Sequence, residues 1–134
     1  MMKVLKAFFL LYTIMILTGC LDREIYTEIV DQSIITHPPV SLKIDDPWGK
    51  LKTDLPNDPY AAVKISLYIH CAQCTNAKSK SLGADFDGYI RITVSENNRT
   101  LARAQMDYKG EATPEEVAQV YNHLMEKLQW NHSV

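Results

Sequence analysis

Residues 88–108, "GYIRITVSENNRTLARAQMDY", decide how this chain folds, because two alternating runs flank a cluster of turn formers. In the first run Ile90, Ile92 and Val94 share one side, with Tyr89, Arg91 and Thr93 on the other. In the second, Ala102, Ala104, Met106 and Tyr108 lie opposite Arg103 and Gln105. Successive side chains of a strand point to opposite faces, so both runs predict half-buried strands. The polar stretch "SENNRT", Ser95–Thr100, then predicts an antiparallel hairpin with a loop longer than the tightest type.

Working outward, "AAVKISLYIH", Ala61–His70, alternates in the same way. Val63, Ile65, Leu67 and Ile69 face one side, and Lys64, Ser66, Tyr68 and His70 the other, which predicts a further strand. "TNAKSKSLG", Thr75–Gly83, reads as a short helix that Gly83 ends. On the far side, "TPEEVAQVYNHLMEKLQW", Thr113–Trp130, carries several helix signals at once. Thr113 sits at the N-cap, Pro114 at the first helical position and Glu116 three residues past the cap. Val117, Val120, Tyr121, Leu124 and Leu128 recur at helical spacing, and Lys127 suits the negative end of the helix dipole. The expected order is strand, helix, strand, strand, helix. That predicts an α+β fold over residues 60–134, a small two-layer sandwich whose three-stranded, mostly antiparallel sheet has helices on one face.

The other face would carry Lys64, Ser66, Tyr68, Tyr89, Arg91, Thr93, Arg103 and Gln105. Tyr68, Tyr89, Arg91 and Arg103 are the residues there suited to a flat or acidic partner, with plain solvation as the alternative.

Upstream, residues 21–35 are mixed: Ile25, Ile29 and Val30 fit one side of a short helix, while "EIVDQSII" also fits an edge strand. Five of the six prolines then fall between Pro38 and Pro59. Proline fixes φ and lacks a donor, which rules out a regular helix or a central strand there. Within residues 20–59 the expectation is an N-terminal segment followed by a proline-rich, extended arm with turns at "DPWG" and "PNDPY". It either spaces the domain from an anchor, packs on it through Val40, Leu42, Ile44, Trp48, Leu51 and Leu55, or offers these groups to a partner. Trp48, between Pro47 and Gly49, is the candidate contact residue, since large aromatics are enriched where interfaces are tight.

The whole chain of 134 residues holds 14 basic and 16 acidic residues, a formal net of -2. Lys3 and Lys6 fall in the first nineteen residues, so 12 basic against 16 acidic remain beyond them, a net of -4. Such a balance lacks the basic footprint of nucleic-acid binding, and no run is basic enough to hold a membrane by charge. Apolar residues make up 46%, sufficient for one real core.

A cationic "MMKVLK" precedes the uncharged run Ala7–Leu17, which is too short for a bilayer span and suits an export signal. Leu17, Thr18, Gly19 and Cys20 resemble the lipobox of bacterial lipoprotein precursors. The resemblance implies a signal peptide over residues 1–19, a diacylglyceryl group on the Cys20 thiol, cleavage before Cys20 and acylation of the freed amine. A thiol is the side chain to which a lipid can be attached as a stable thioether. Several acyl chains together hold durably. The expected product is a lipoprotein facing the periplasm, with membrane lipid and an envelope protein or complex as partners. Leu21 in place of an aspartate directly after the cysteine leans toward the outer membrane.

The remaining cysteines, Cys71 and Cys74, lie three apart in "YIHCAQCTNAK". In an oxidising compartment a structural disulfide is the first expectation for such a pair. The placement, strand then Cys-x-x-Cys then helix, also resembles the dithiol of thioredoxin-like proteins, which implies Cys71 as attacking thiol and Cys74 as resolving thiol. That family also places a cis-proline opposite the dithiol, whereas the late proline here, Pro114, sits where a helix begins. A metal site would need Cys71, Cys74 and His70 together with further ligands. Thr75 after Cys74 excludes the ordinary c-type haem attachment. No phosphate-cradling glycine run and no nucleophile elbow occur, so no cofactor is expected and protein binding is favoured over catalysis.

Overall fold

A computed structural model describes residues 23–71 and 86–130. The hairpin is its centre. Strand β4 (Gly88–Glu96) pairs antiparallel with β5 (Arg99–Tyr108), and β3 (Val63–Cys71) pairs antiparallel along the other side of β4. The sheet is not the three-stranded, mostly antiparallel one that alternation predicts: among the described residues it has five strands, in the order β1-β5-β4-β3-β2. Strand β1 (Tyr26–Ile29) adds antiparallel to β5, and β2 (Lys43–Asp45) adds parallel to β3, making the sheet mixed. Strand β1 comes from residues 21–35, whose sequence fits either a short helix or an edge strand, and β2 from the stretch expected to be an arm. At four and three residues they are too short for period-2 alternation to announce them. The proline rule survives in its weaker form, because β2 lies at the sheet edge between Pro39 and Pro47.

The hairpin loop is also tighter than expected. Asn97 and Asn98 have φ of 50° and 61° and alone connect the strands, with Glu96 opposite Arg99. A two-residue turn with both centres left-handed matches the twist of the flanking strands, and asparagine tolerates that conformation better than most residues. The register shifts between Val94 and Ser95, leaving Leu101 between Thr100 and Ala102 as the extra residue on β5. Its carbonyl accepts from the backbone N–H groups of Val30 and Asp31, at 2.8 and 3.1 Å, where β1 leaves the sheet.

The two helices among the described residues are α1 (Ser33–Thr36), a single turn, and α2 (Pro114–Leu128). The run Thr75–Gly83, expected to be a helix, lies outside the described residues. Helix α2 begins as its sequence predicts: the Thr113 hydroxyl accepts from the Glu116 N–H at 3.2 Å and also donates to the Glu116 carboxylate at 3.3 Å. Its stripe of Val117, Val120, Tyr121, Leu124 and Leu128 is fully buried, together with Met125. They pack on the sheet face formed by Ile65, Leu67, Ile90, Ile92, Val94, Ala102, Ala104 and Met106. Burying apolar surface at roughly 25 cal/mol per Å² is the main favourable contribution of such a layer.

Residues 33–58 close this core instead of standing off from it. Ile34, Leu42 and Leu55 are buried, and Ile44 and Leu51 pack against them. Leu42 N–H donates to the Pro56 carbonyl at 3.1 Å and Asp58 N–H to the Leu42 carbonyl at 2.9 Å, so the chain returning toward β3 borders β2 on its outer side. Lys50 Nζ donates to the Ala112 carbonyl at 2.6 Å. The Tyr121 hydroxyl, on the buried side of α2, lies 3.4 Å from Asp54 Oδ1. Burial, and secondarily the Asp54 charge, push that phenol well above the ordinary tyrosine range. Beyond α2, Gln129 turns left-handed at φ 58° and Trp130 folds back, its Nε1–H donating to the Ile34 carbonyl at 3.1 Å. Both expected turns are present: Asp46 caps "DPWG" by accepting from the N–H groups of Trp48 and Leu51, and Asp58 accepts from Tyr60.

Candidate functional site: the open face of the sheet

Helix α2 covers one sheet face, and alternation sends every second side chain to the other. Register makes rows of these. Tyr68 on β3 faces Arg91 on β4, which faces Gln105 on β5, which faces Tyr26 on β1. One step toward the β3 C-terminus, His70 faces Tyr89, which faces Asp107. One step the other way, Ser66 faces Thr93, then Arg103, then Glu28.

The rings in these rows touch in sequence. Trp48 meets Tyr68 edge to face at 6.0 Å between centroids, Tyr68 meets Tyr89 at 6.0 Å, and His70 stacks on Tyr89 at 4.9 Å. Contacts of this kind are worth about 0.5–1.5 kcal/mol each beyond area burial, so the strip is largely fixed before any partner arrives. Arg91 lies over the Tyr89 ring with its guanidinium carbon 4.9 Å from the centroid. Its Nε and Nη2 both donate to Gln105 Oε1, at 2.9 and 2.7 Å, which holds the guanidinium plane in place. Among the described residues the charge is thus met by an amide and a ring face, without the ion pair that occupies its neighbour. Arg103 donates from Nε and Nη2 to Glu28, at 2.8 and 2.7 Å.

Of the five residues expected to bind a partner, Trp48, Tyr68, Tyr89 and Arg91 form one continuous surface, and Arg103 stands a row away, already paired. Trp48 and Tyr68 remain 39% and 47% exposed, and Tyr26 at the far end of the row 60%. Two members went unrecognised as such in the sequence. His70 was considered as a metal ligand, although its outward place in the alternation already put it beside Tyr68. Tyr26 sits on a strand too short to detect.

Cys71 is the last residue of β3, opposite Gly88. Cys20 and Cys74 lie outside the described residues. His70 and Cys71 sit on opposite sides of β3, with the imidazole occupied on Tyr89. Among the described residues no group of three or more His, Cys, Asp or Glu is placed to hold a metal. Pro114 opens α2.

A pocket of about 220 Å³ lies at the opposite end of the sheet, lined by Asp31, Ser33, His37, Glu96, Arg99 and Leu101 among others. Its Asp31, Ser33 and Arg99 side chains are committed to one another. Asp31 accepts from the Ser33 N–H at 3.0 Å and the Ser33 hydroxyl at 2.6 Å, and pairs with Arg99 at 3.1 Å. The Ser33 bonds, reinforced by Arg99, hold the Asp31 carboxyl below its ordinary range. His37 Nδ1 lies near the Thr36 hydroxyl and the Ser33 carbonyl. The Ser33 hydroxyl donates to the acid and not to the imidazole, so serine, histidine and aspartate here do not form a nucleophile and base pair.

The chain matches no protein-family profile, no curated protein and no solved structure.

Proposed function

We propose that the protein is a lipid-anchored accessory component of a bacterial cell envelope, tied to the membrane through acylated Cys20 and acting by binding another envelope protein. The observation that carries the binding half is the ring strip Trp48, Tyr68, Tyr89 and His70 on a sheet face that no described element covers, with Arg91 fixed over it. Large aromatics and arginine held in advance are the residues on which interface energy concentrates. Their fixed geometry lowers the ordering cost of association. The flat strip suits a partner that offers a proline or aromatic side chain to the rings and a carboxylate or carbonyl to Arg91. The proposal pairs Cys71 with Cys74 as a structural disulfide at the end of β3.

The test places a photoreactive benzophenone residue at Ser66 or Thr93, within the face, in intact cells. A single protein adduct is expected, and Tyr68→Ala with Trp48→Ala should reduce it by about tenfold, the effect of losing roughly 1.4 kcal/mol at an interface. Unchanged crosslinking in a variant that still melts cooperatively removes this face as the binding surface. Mass measurement of the mature protein tests the anchor: the chain is expected to begin at Cys20 and to carry acyl mass.

A further inference from the structure

The covalent distance between Cys20, the proposed lipid attachment site, and Arg23, the first described residue, is short enough to determine how the domain meets its membrane. Arg23 Nη1 pairs with Glu116 Oε2 at 2.7 Å and reaches the Asp107 carbonyl at 3.4 Å. Ile25 packs against the core and Tyr26 is already in register with Gln105. Two residues, Leu21 and Asp22, separate Cys20 from Arg23. At about 3.5 Å per extended residue, Cys20 Cα lies within roughly 10 Å of Arg23 Cα. A domain of this size has a radius of gyration of about 13 Å, larger than that reach.

One end of the sheet is therefore tied close to the bilayer. That end holds the start of β1, the end of β5 at Tyr108, the end of β3 at Cys71, the start of β4 at Gly88 and the beginning of α2. The Asn97–Asn98 turn lies at the other end, about 30 Å away along β5 at roughly 3.3 Å per residue. We infer that the domain rides directly on the phospholipid surface, with the end bearing Phe86, Lys109 and Glu111 against the headgroups and the Asn97–Asn98 turn pointing away from them.

This inference rests on the lipid anchor proposed above. Lys109 Nζ sits 5.5 Å from the centre of the Phe86 ring, an apolar body with a cationic tip of the sort that settles at headgroup level. Among the described residues Asp87, Asp107, Glu111, Glu115 and Glu116 share that end, so the inference rests on the covalent tether and not on charge. An anchor without a spacer has a functional consequence. The aromatic strip is held within one domain length of the bilayer, so it meets partners that are themselves membrane-bound or lie within that depth.

The test uses the full-length protein processed in cells, or the purified lipoprotein in vesicles of phosphatidylethanolamine and phosphatidylglycerol. A benzophenone residue replaces Lys109 in one variant, Glu111 in a second and Asn98 in a third, all exposed positions. Lipid adducts are expected at 109 and 111 in several-fold excess over 98. Inserting a Gly/Ser stretch of about 30 residues between Asp22 and Arg23, with a mean span of roughly 30 Å, should bring the three positions to similar labelling. Equal labelling without the insert, labelling at 109 that the insert leaves unchanged, or no lipid adduct at any position would overturn the inference. The acyl mass on the same samples separates the two ideas: its absence defeats the anchor itself, while its presence with equal labelling defeats only the apposition.

Discussion

Gly88 shows how much a single side chain, or its lack, decides here. It lies opposite Cys71, and a Cβ built on it would come within 1.8 Å of the His70 carbonyl oxygen and 2.7 Å of the Tyr108 hydroxyl. That hydroxyl donates to the same carbonyl at 2.9 Å, so glycine leaves the room in which β5 bonds across β4 to β3. Gly88→Ala should cost about 3 kcal/mol, the range of overpacked or strained sites, read as a drop in the urea midpoint. Tyr108→Phe should cost about 1 kcal/mol for the lost bond. The double variant should be no more stable than Gly88→Ala alone, because the nearest atom is backbone and cannot yield; recovery in the double variant would show that the phenol was the obstacle. None of this was legible in the sequence, where Gly88 reads as the edge of a loop. The close approach depends on β3 and β5, the strands paired on either side of β4.

At the scale of elements, local signals were legible and cross-strand ones were not. Helix α2 could be read in full because its cap, its opening proline and its stripe all lie within one short segment. The central strands could be read because alternation lasts through most of their length, and with it most of the candidate face. The hairpin loop was misjudged because Ser95, Glu96, Arg99 and Thr100 are polar, yet at the end of a hairpin a ladder continues without an apolar face to advertise it. The observed loop makes its own prediction. With Asn98 at φ 61°, Asn98→Gly should raise stability by about 0.5 kcal/mol, since glycine enters that region without the Cβ penalty. Asn98→Val should lower it by about 1–2 kcal/mol. Chemical denaturation of the two variants checks both signs, and a stabilising valine would mean that the loop is not a two-residue left-handed turn. Trp48 illustrates the remaining gap: its suitability for a contact was plain from its type and neighbours, but its place on Tyr68 follows from the turn that Asp46 caps and from the pairing of β2 with β3.

For the whole molecule, the decisive contacts join residues far apart in the chain. Tyr26 pairs with Gln105, Trp130 bonds the carbonyl of Ile34, and Tyr121 meets Asp54. Such pairings leave no periodic trace in either partner, which is why residues 36–59 read as an arm and, with residues 23–35, fold as two strands and a share of the core. A chain beginning at Tyr60 keeps β3, β4, β5 and α2 but loses Ile34, Leu42 and Leu55 from the core. It also uncovers both outer edges of the three central strands, which then invite pairing with other chains. Trp130 Nε1 loses its acceptor, and a buried donor without one costs about 1–3 kcal/mol. Small domains have only about 5–15 kcal/mol of net stability, so the combined loss should exceed what residues 60–134 can bear. The expected outcome is that residues 20–134 unfold in one cooperative thermal transition, while the fragment shows none and self-associates. A fragment that melts cooperatively at an unchanged midpoint would mean that the two edge strands merely decorate a self-sufficient core. In that case the short tether would fix the position of the edge strands only, and the aromatic strip, whose rings apart from Trp48 and Tyr26 lie on β3 and β4, would keep its geometry without them.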